Sequence, residues 1–169
     1  MALTLRFSTN VAAGTKSCGG TIDRTPAGIV SNTSALNSVF DKVLKHENIS
    51  GMTEYRLLYL SNDNIPSNSK VYVPKIKFIS VPESEFSIAA LPKNEVGQII
   101  QTEQETPADV VFKTQDKLNS ESSGYLSFPN GGELLPGEFL GFWLKRKVNS
   151  SSGSGTIKEE LVLEVQYRS

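Results

Sequence analysis

The sequence predicts an all-β fold: a single antiparallel β-sandwich, jelly-roll-like, with one short helix and long polar loops. Three observations support this prediction. Short segments that alternate between apolar and polar residues recur along the chain, as half-buried strands do. Clusters of Gly, Ser, Asn and Pro separate these segments, which is typical of the turns and loops of sandwiches. Only one stretch repeats its apolar residues with the helical period.

The N-terminal part of the chain is predicted to form one strand followed by a long loop. Ala2–Ser8 alternates and is predicted to be half buried. Its apolar face consists of Leu3, Leu5 and Phe7. Residues 9–34 are rich in Gly, Thr, Ser and Asn, which indicates a loop with a short strand near Thr21 and Ile22.

The helical period occurs over Ser34–Val43. Apolar residues occupy positions i, i+3, i+4 and i+7 of this stretch, namely Leu36, Val39, Phe40 and Val43. Ser34 can act as the N-cap. The pattern therefore predicts a helix of two or three turns, and His46 belongs to the polar end of this helical segment.

Seven further strands are predicted in the middle of the chain. The clearest is Thr53–Leu60, in which Tyr55, Leu57 and Tyr59 share one face and Leu58 and Leu60 share the other. The remaining predicted strands are Lys70–Val73, Lys75–Ile79, Glu85–Ala90, Gly97–Gln101, Ala108–Lys113 and Tyr125–Phe128. Pro74, which lies between the first two of these, cannot donate a ladder hydrogen bond and therefore marks an edge, a bulge or a break between two strands.

The segment Gly137–Val148 is predicted to be a strand that is covered on both faces. Phe139 and Trp143 lie on one face, while Leu140, Phe142 and Leu144 lie on the other. Trp143 is therefore predicted to be a core residue. The run Lys145–Lys147 that follows is predicted to be a solvated strand end rather than a nucleic-acid site, because no other cations converge on it.

The last predicted strand, Thr156–Arg168, has the most regular alternation in the chain. One face carries Leu161, Leu163, Val165 and Tyr167, and the other carries Glu160, Glu164, Gln166 and Arg168. Residues 149–155 are small and polar. We therefore expect them to form a loop that joins the last two strands as an antiparallel pair.

The composition excludes several classes of function. The net charge of −1 and the pI near 5.9 do not favour binding to nucleic acid or to an anionic membrane. No apolar run reaches the roughly 20 residues of a transmembrane helix, and the N-terminus lacks the pattern of a signal peptide, so we expect synthesis in a cytoplasm without export.

Reactive side chains are few. Cys18 is the single cysteine and His46 the single histidine, so one chain provides neither a disulfide nor a zinc site of the usual type. Glu103 and Glu105 are predicted to lie on a solvated face rather than to act as a catalytic pair. The sequence thus predicts no catalytic residue, no cofactor and no metal.

Several segments together resemble a group of virion structural proteins of tailed bacteriophages, small β-sandwiches that decorate or cement capsids. They are GGTI (19–22), VFDKV (39–43), GMTEYRLLYLSND (51–63), KVYV (70–73), VGQIIQTEQETPADVVF (96–112) and LLPGEFLGFWLKRKV (134–148). The most specific are TEYR, followed by an alternating strand and an Asn/Asp-rich turn, and the pattern LxPGEFxGFWLKR. Both are patterns of strands and turns rather than active-site signatures.

The resemblance implies a non-enzymatic protein of the virion that is assembled in the bacterial cytoplasm. It implies a cement protein on the outer capsid surface, with the major capsid protein as partner and a dimer or trimer as its own state. The whole chain, 1–169, is expected to be one sandwich domain, with the strand and extended loop of residues 1–34 preceding the main sandwich of residues 35–169. The expected contact residues are Leu3, Leu5, Phe7, Thr21, Ile22 and Ile29.

Other interpretations stay open at this point. Residues 9–34 are equally consistent with an ordinary loop that covers the sandwich. A tail, neck or fibre component would keep the same fold at another place in the particle. A carbohydrate-binding module of the virion would need exposed aromatic rings at a loop rim, for which Tyr72 and Tyr125 are the candidates.

Overall fold

The computed structural model describes residues 3–12, 14–30, 39–41, 43–63, 70–80, 84–150 and 162–168. Nine strands lie in these ranges: β1 (Thr4–Phe7), β2 (Met52–Ser61), β3 (Val71–Ser80), β4 (Glu85–Lys93), β5 (Lys113–Thr114), β6 (Leu126–Ser127), β7 (Glu133–Leu134), β8 (Phe139–Val148) and β9 (Val162–Arg168). The same ranges contain two short helices, α1 (Lys45–Ser50) and α2 (Gln115–Ser122), and a 3-10 turn over Pro26–Gly28.

Five strands form an antiparallel sheet in the order β1-β2-β8-β4-β5. β8 is its central strand, and it pairs along most of its length with β2 on one side and β4 on the other. The register places Trp143 between Leu57 of β2 and Ala89 of β4. β8 therefore has neighbours along both of its edges.

The second antiparallel sheet is built around β3. Ile76 pairs with both Val165 of β9 and Leu126 of β6, and Tyr72 pairs with both Arg168 of β9 and Glu133 of β7. A strand residue has one partner on each side, so β9 lies along one edge of β3, and β6 and β7 share the other edge.

The main hydrophobic core lies between the two sheets. Phe142 and Leu58 of the five-stranded sheet and Ile76 of the second sheet are fully buried in it. The alternation of β2 and β8 explains this arrangement, because every second side chain points to the same face of a sheet. The predicted all-β sandwich with antiparallel strands is confirmed.

A second core covers the outer face of the five-stranded sheet. Tyr55, Leu57, Tyr59 and Trp143 point into it from β2 and β8. Loop residues complete this core: Ala12, Cys18, Ile22, Ile100, Val110 and Phe112. The two faces of β2 are those that the sequence predicts, and the prediction that β8 is covered on both faces, with Trp143 in a core, is also confirmed.

The expected pairing of the last two strands is wrong. β8 lies in the five-stranded sheet, whereas β9 pairs with β3 in the other sheet. Because β2 and β4 occupy both edges of β8, no edge is left for a hairpin partner. β9 has a single apolar face, which suits a strand at the edge of a sandwich. Of the predicted strand Thr156–Arg168, residues 156–161 lie outside the described residues.

The described part of the predicted helix Ser34–Val43 is not helical. Residues 34–38 and 42 lie outside the described residues, and Val39 and Phe40 form a bend. The side chains of this stretch are held by the sandwich instead. The Val39 carbonyl accepts a hydrogen bond of 3.1 Å from Arg56 Nε, and the Phe40 ring lies against two guanidinium groups.

The predicted strands Gly97–Gln101 and Ala108–Lys113 are also wrong, since strand β5 begins only at Lys113. Ile100, Val110 and Phe112 of these segments belong to the second core rather than to a sheet, whereas Ile99 and Val111 are exposed. The backbone pairs with the N-terminal loop: Ile100 N donates to Cys18 O at 3.1 Å, and Gly20 N donates to Gly97 O at 3.1 Å. The two loops thus satisfy each other's polar groups while their side chains cover the sheet.

We expect Gly19→Ala to destabilise the fold by about 3 kcal/mol or more. Gly19 has φ +89°, and a Cβ there would lie 1.8 Å from the carbonyl oxygen of Gln98. Gly132→Ala is the matched control, because a Cβ at Gly132 meets no atom within 4 Å. Urea unfolding of both variants measures the difference, and equal midpoints would contradict this account of how the loops pack.

Candidate functional site

An open apolar groove lies between the two sheets at the edge where β1 and β9 approach each other. Its volume is about 520 Å³. The residues that line it are Leu3, Thr4, Leu5, Ile29, Val30, Leu60, Ile76, Leu163, Val165 and Tyr167. All but Thr4 have apolar or aromatic side chains. Such a lining suits the apolar side chains of another protein better than a polar small molecule, which needs several convergent polar groups.

Alternation in two edge strands explains the groove. Leu3 and Leu5 point inward from the β1 side, and Leu163 and Val165 point inward from β9. Their counterparts in the middle of the sandwich are fully buried, but these four side chains are only partly buried. The floor of the groove is the main core itself, so the groove is continuous with the core.

The structure brings three of the six expected contact residues together. Leu3, Leu5 and Ile29 line the groove, and Ile29 is 44% exposed. Phe7 lies in the main core and Ile22 in the second core. These two side chains belong to the chain's own interior, with 8% of the surface of each exposed.

The remaining expected contact residue, Thr21, is exposed and lies outside the groove, where its hydroxyl is 3.3 Å from that of Thr9. Of the loop that contains these residues, the described part covers the five-stranded sheet. Backbone bridges join Ser8 to Ile22 and Arg6 to Ile29. Residues 9–12 and 14–30 therefore form a loop that covers the sandwich, which is the ordinary-loop interpretation of this segment.

Sequence reasoning did not identify the residues of β9 as part of a site. Leu163, Val165 and Tyr167 form one wall of the groove. Their alternation was visible as the most regular in the chain, and it correctly placed them on one face. The pattern does not show which other residues that face will pack against. The approach of β9 to β1 depends on pairing with β3, which is distant in the sequence.

A cluster of four charged side chains, three of them buried, lies at one end of the five-stranded sheet. We call Glu54, Arg56, Glu103 and Arg146 the ionic cluster. Glu54 and Arg146 are directly opposite each other on β2 and β8, and Arg146 Nε donates to Glu54 Oε2 at 2.7 Å. Arg56 lies 2.7 Å from Glu103 and 3.4 Å from Glu54. The four charges balance, which lets the cluster remain buried.

The ring of Phe40 lies close to both arginines of the ionic cluster. The guanidinium carbons of Arg56 and Arg146 are 5.1 and 4.9 Å from its centroid. Arg56 Nη1 also donates a hydrogen bond of 3.0 Å to the carbonyl oxygen of Tyr55. Apart from the contacts of Arg56 with Glu54 and Tyr55, which lie within β2, the contacts of this cluster join one segment of the fold to another. The cluster therefore acts as a structural lock between β2, β8 and two loops.

The ionic cluster corrects two sequence predictions. Lys147 is exposed as expected for a solvated strand end, but Arg146 between its two lysines is 4% exposed and buried against Glu54. Glu103 was expected on a solvated face and instead holds Arg56. Side chains alternate along β8, so Arg146 follows Leu140, Phe142 and Leu144 into the interior, where Glu54 is its counter-ion.

Burial and charge act in opposite directions on the two carboxylates. Burial raises the pKa of Glu54, and the guanidinium groups of Arg146 and Arg56 oppose that rise. Burial also acts to raise the pKa of Glu103, but the charge of Arg56 and the hydrogen bonds from Arg56 and Thr15 outweigh it and hold this pKa below its ordinary value. The charge of Arg56 thus acts to lower the pKa of both carboxylates.

The two tyrosines considered for glycan binding differ in their surroundings. Tyr72 is 38% exposed on β3. Tyr125 is half-buried, with the ammonium groups of Lys75 and Lys77 each 4.8 Å from its ring centroid and its hydroxyl donating to Glu164 at 2.8 Å. The Tyr125 ring thus already stacks with side chains of its own chain.

The described residues contain neither a metal site nor a membrane-spanning helix. No group of three or more His, Cys, Asp or Glu side chains is arranged to hold a metal ion in the part of the chain that the structure describes. Within the same ranges, no helix has the length and apolarity needed to cross a bilayer.

We expect Arg146→Met to destabilise the protein by about 3–5 kcal/mol, because it leaves the Glu54 carboxylate buried with a weakened set of partners. Lys147→Met is the matched control: it removes the neighbouring cation, which is exposed and 4.0 Å from Glu85, and should change stability by less than about 0.5 kcal/mol. Chemical unfolding at neutral pH compares the two. A similar loss in both variants would mean that the ionic cluster does not lock the strands.

The stability lost in Glu103→Gln should depend on pH. A carboxylate whose pKa is lowered on folding stabilises the native state above its unfolded pKa, near 4.5, and loses this effect as the pH falls through the folded value. The variant should therefore be less stable than the wild type at neutral pH and approach it in acid. Unfolding midpoints from about pH 6 to about pH 3 measure this, with Glu85→Gln as an exposed control. A constant difference across that range would contradict the assignment.

The chain was compared with protein families, curated proteins and solved structures. No protein-family model, no curated protein and no solved structure matches it. The groove, the packing of the fold and the sequence patterns are therefore the features from which a function can be inferred.

Proposed function

We propose that this chain is a non-enzymatic structural protein of a bacteriophage particle that binds the outer surface of the major capsid protein shell and stabilises it. The observation that carries the proposal is the apolar groove at the open edge of the sandwich. It gathers Leu3, Leu5 and Ile29, three residues expected to contact a partner, on one partly exposed surface. A rigid sandwich with such a groove can hold adjacent shell subunits at a fixed spacing.

The positions of the resemblance segments support the proposal. TEYR lies at the start of β2, and LxPGEFxGFWLKR leads into β8 and forms most of it. These two strands pair with each other, and their Glu54 and Arg146 are partners in the ionic cluster. The most specific segments of the resemblance thus form one structural unit, as expected if they maintain a shared scaffold rather than an active site.

The burial on both sides of the five-stranded sheet supports a mechanical role. Trp143 and Phe142 are adjacent in β8 and fully buried in different cores. Pulling either covering layer away from the sheet exposes large apolar side chains, and this exposure is costly. A protein that resists the internal pressure of a shell needs such resistance to deformation.

We expect Ile29→Glu to weaken binding to the shell at least about tenfold, because it introduces a charge into an apolar contact surface. Ile29 is 44% exposed, so the fold should tolerate the change. Val111→Glu is the control: Val111 is 76% exposed and lies outside the groove. Sedimentation of each variant with purified shells made of the major capsid protein measures binding, and equal binding of both variants would contradict the assignment of the groove.

The place in the particle is tested by cryo-EM of the intact virion together with quantitative gel densitometry. Many copies on the outer shell, at the junctions of capsomers, are the result expected. A few copies at the tail, the neck or a fibre would instead support the alternative component with the same fold.

A further inference from the structure

The edges of the two sheets differ in how they are protected. Segment 22–30 covers the outer edge of β1, where Val30 N donates to Leu5 O at 2.9 Å. The opposite edge of the five-stranded sheet ends in β5, and the far edge of the second sheet consists of β6 and β7; each of these strands has two residues. β9 is different, because it has seven residues and, among the described residues, pairs only with β3.

β9 also lacks the features that keep edge strands from pairing. Natural edges are blunted by proline, lysine, bulges or short length. Val162–Arg168 contains neither proline nor lysine. Its pairing with β3 has two irregularities, and each adds an extra residue to β3, so β9 itself is unbroken. A regular edge of this length, with which no other described strand pairs, is suited to accept another strand.

We propose that β9 pairs antiparallel with β9 of a second copy of this chain, around a two-fold axis at Gln166. In this register Glu164 lies opposite Arg168 of the second copy, and Arg168 lies opposite its Glu164. The side chain of Arg168 is exposed, and no ion pair of it is found in the described part of the chain. Glu164 accepts from Tyr125 and lies 3.5 Å from Lys77, which leaves acceptor positions for a guanidinium.

Other registers fit less well. A shift by one residue would place the apolar face of one strand opposite the polar face of the other. A shift by two residues, with the axis at Val165, would place Glu164 opposite Gln166 and Arg168 opposite Val162. Only the axis at Gln166 pairs opposite charges twice and keeps Val165 opposite Tyr167 on the apolar face. The edge is thus complementary to itself, as a two-fold interface requires.

The dimer extends the apolar face that β9 contributes to the groove. Leu163, Val165 and Tyr167 of both copies then form one continuous layer around the axis. The other wall of each groove, with Leu5 and Ile29, is left for a different contact. The dimer follows from β9 alone and does not require that the proposed binding to a shell is correct.

Charge reversal tests the register with the full-length chain. Arg168→Glu places Glu opposite Glu164 at both contacts, and Glu164→Arg places Arg opposite Arg168, so each variant alone should dimerise about tenfold more weakly than the wild type. An equimolar mixture of the two variants restores both opposite-charge pairs and should form the mixed dimer. Glu85→Arg, on an exposed residue of the other sheet, is the control and should dimerise as the wild type does.

Sedimentation equilibrium and native mass spectrometry measure these states. A wild type that stays monomeric at the highest attainable concentration overturns the proposal, and so does equal dimerisation of the wild type and Arg168→Glu. The Arg168→Glu variant is decisive by itself because no described contact within the chain depends on Arg168. Shell binding is measured separately, so a failure of the dimer and a failure of the proposed function are distinguishable.

A cysteine cross-link tests the position of the axis. Gln166→Cys places two thiols opposite each other on paired strands, whose Cα atoms are about 4.5–5.5 Å apart, within the range that a disulfide spans. Cys18 is fully buried and does not compete. The expected result is a covalent dimer on mild oxidation, whereas the exposed control Lys147→Cys should give none. Equal cross-linking of both variants, or none in Gln166→Cys, overturns the register.

Discussion

The fold depends on the burial of β8 on both faces and along both edges. β8 forms the centre of the five-stranded sheet, and its alternating side chains fill two cores at once. Trp143 and Phe142 are adjacent in the chain, yet they stabilise different layers. This constraint organises the rest: one face requires a second sheet, and the other requires a covering layer of loops.

The ionic cluster extends this constraint to the polar end of the strand. Because β8 continues into the interior beyond Leu144, its alternation carries Arg146 inward, and a buried guanidinium requires counter-ions. Glu54 provides one from the neighbouring strand, and Glu103 reaches Arg56 from the covering loop. The guanidinium groups of Arg56 and Arg146 also contact the ring of Phe40 and hold it against the sandwich. This polar network links the loop of Glu103 and the segment of Phe40 to the central strands β2 and β8.

The groove and the edge of β9 arise where this organisation ends. At the centre, each inward side chain meets one from the other sheet; at the margin, β1 and β9 leave their inward side chains partly exposed. Covering an apolar surface is favourable in water, so a margin of this kind suits a partner. The two walls differ in character: the β1 wall is backed by a covering segment, whereas β9 offers a backbone edge.

The sequence by itself determined the long strands β2 and β8, their faces and the class of fold, because an alternation of two follows directly from the geometry of a strand. It identified both faces of β2 and β8 and placed Trp143 in a core. Tertiary structure decided which strands pair, that Arg146 is buried and Glu103 is half-buried against Arg56, and that segments 97–101 and 108–112 are covering loops. Helix α2 also depends on the tertiary structure, because Leu118 is its one buried residue and the sequence shows no helical period there. These outcomes depend on contacts between distant segments, which local periodicity does not encode.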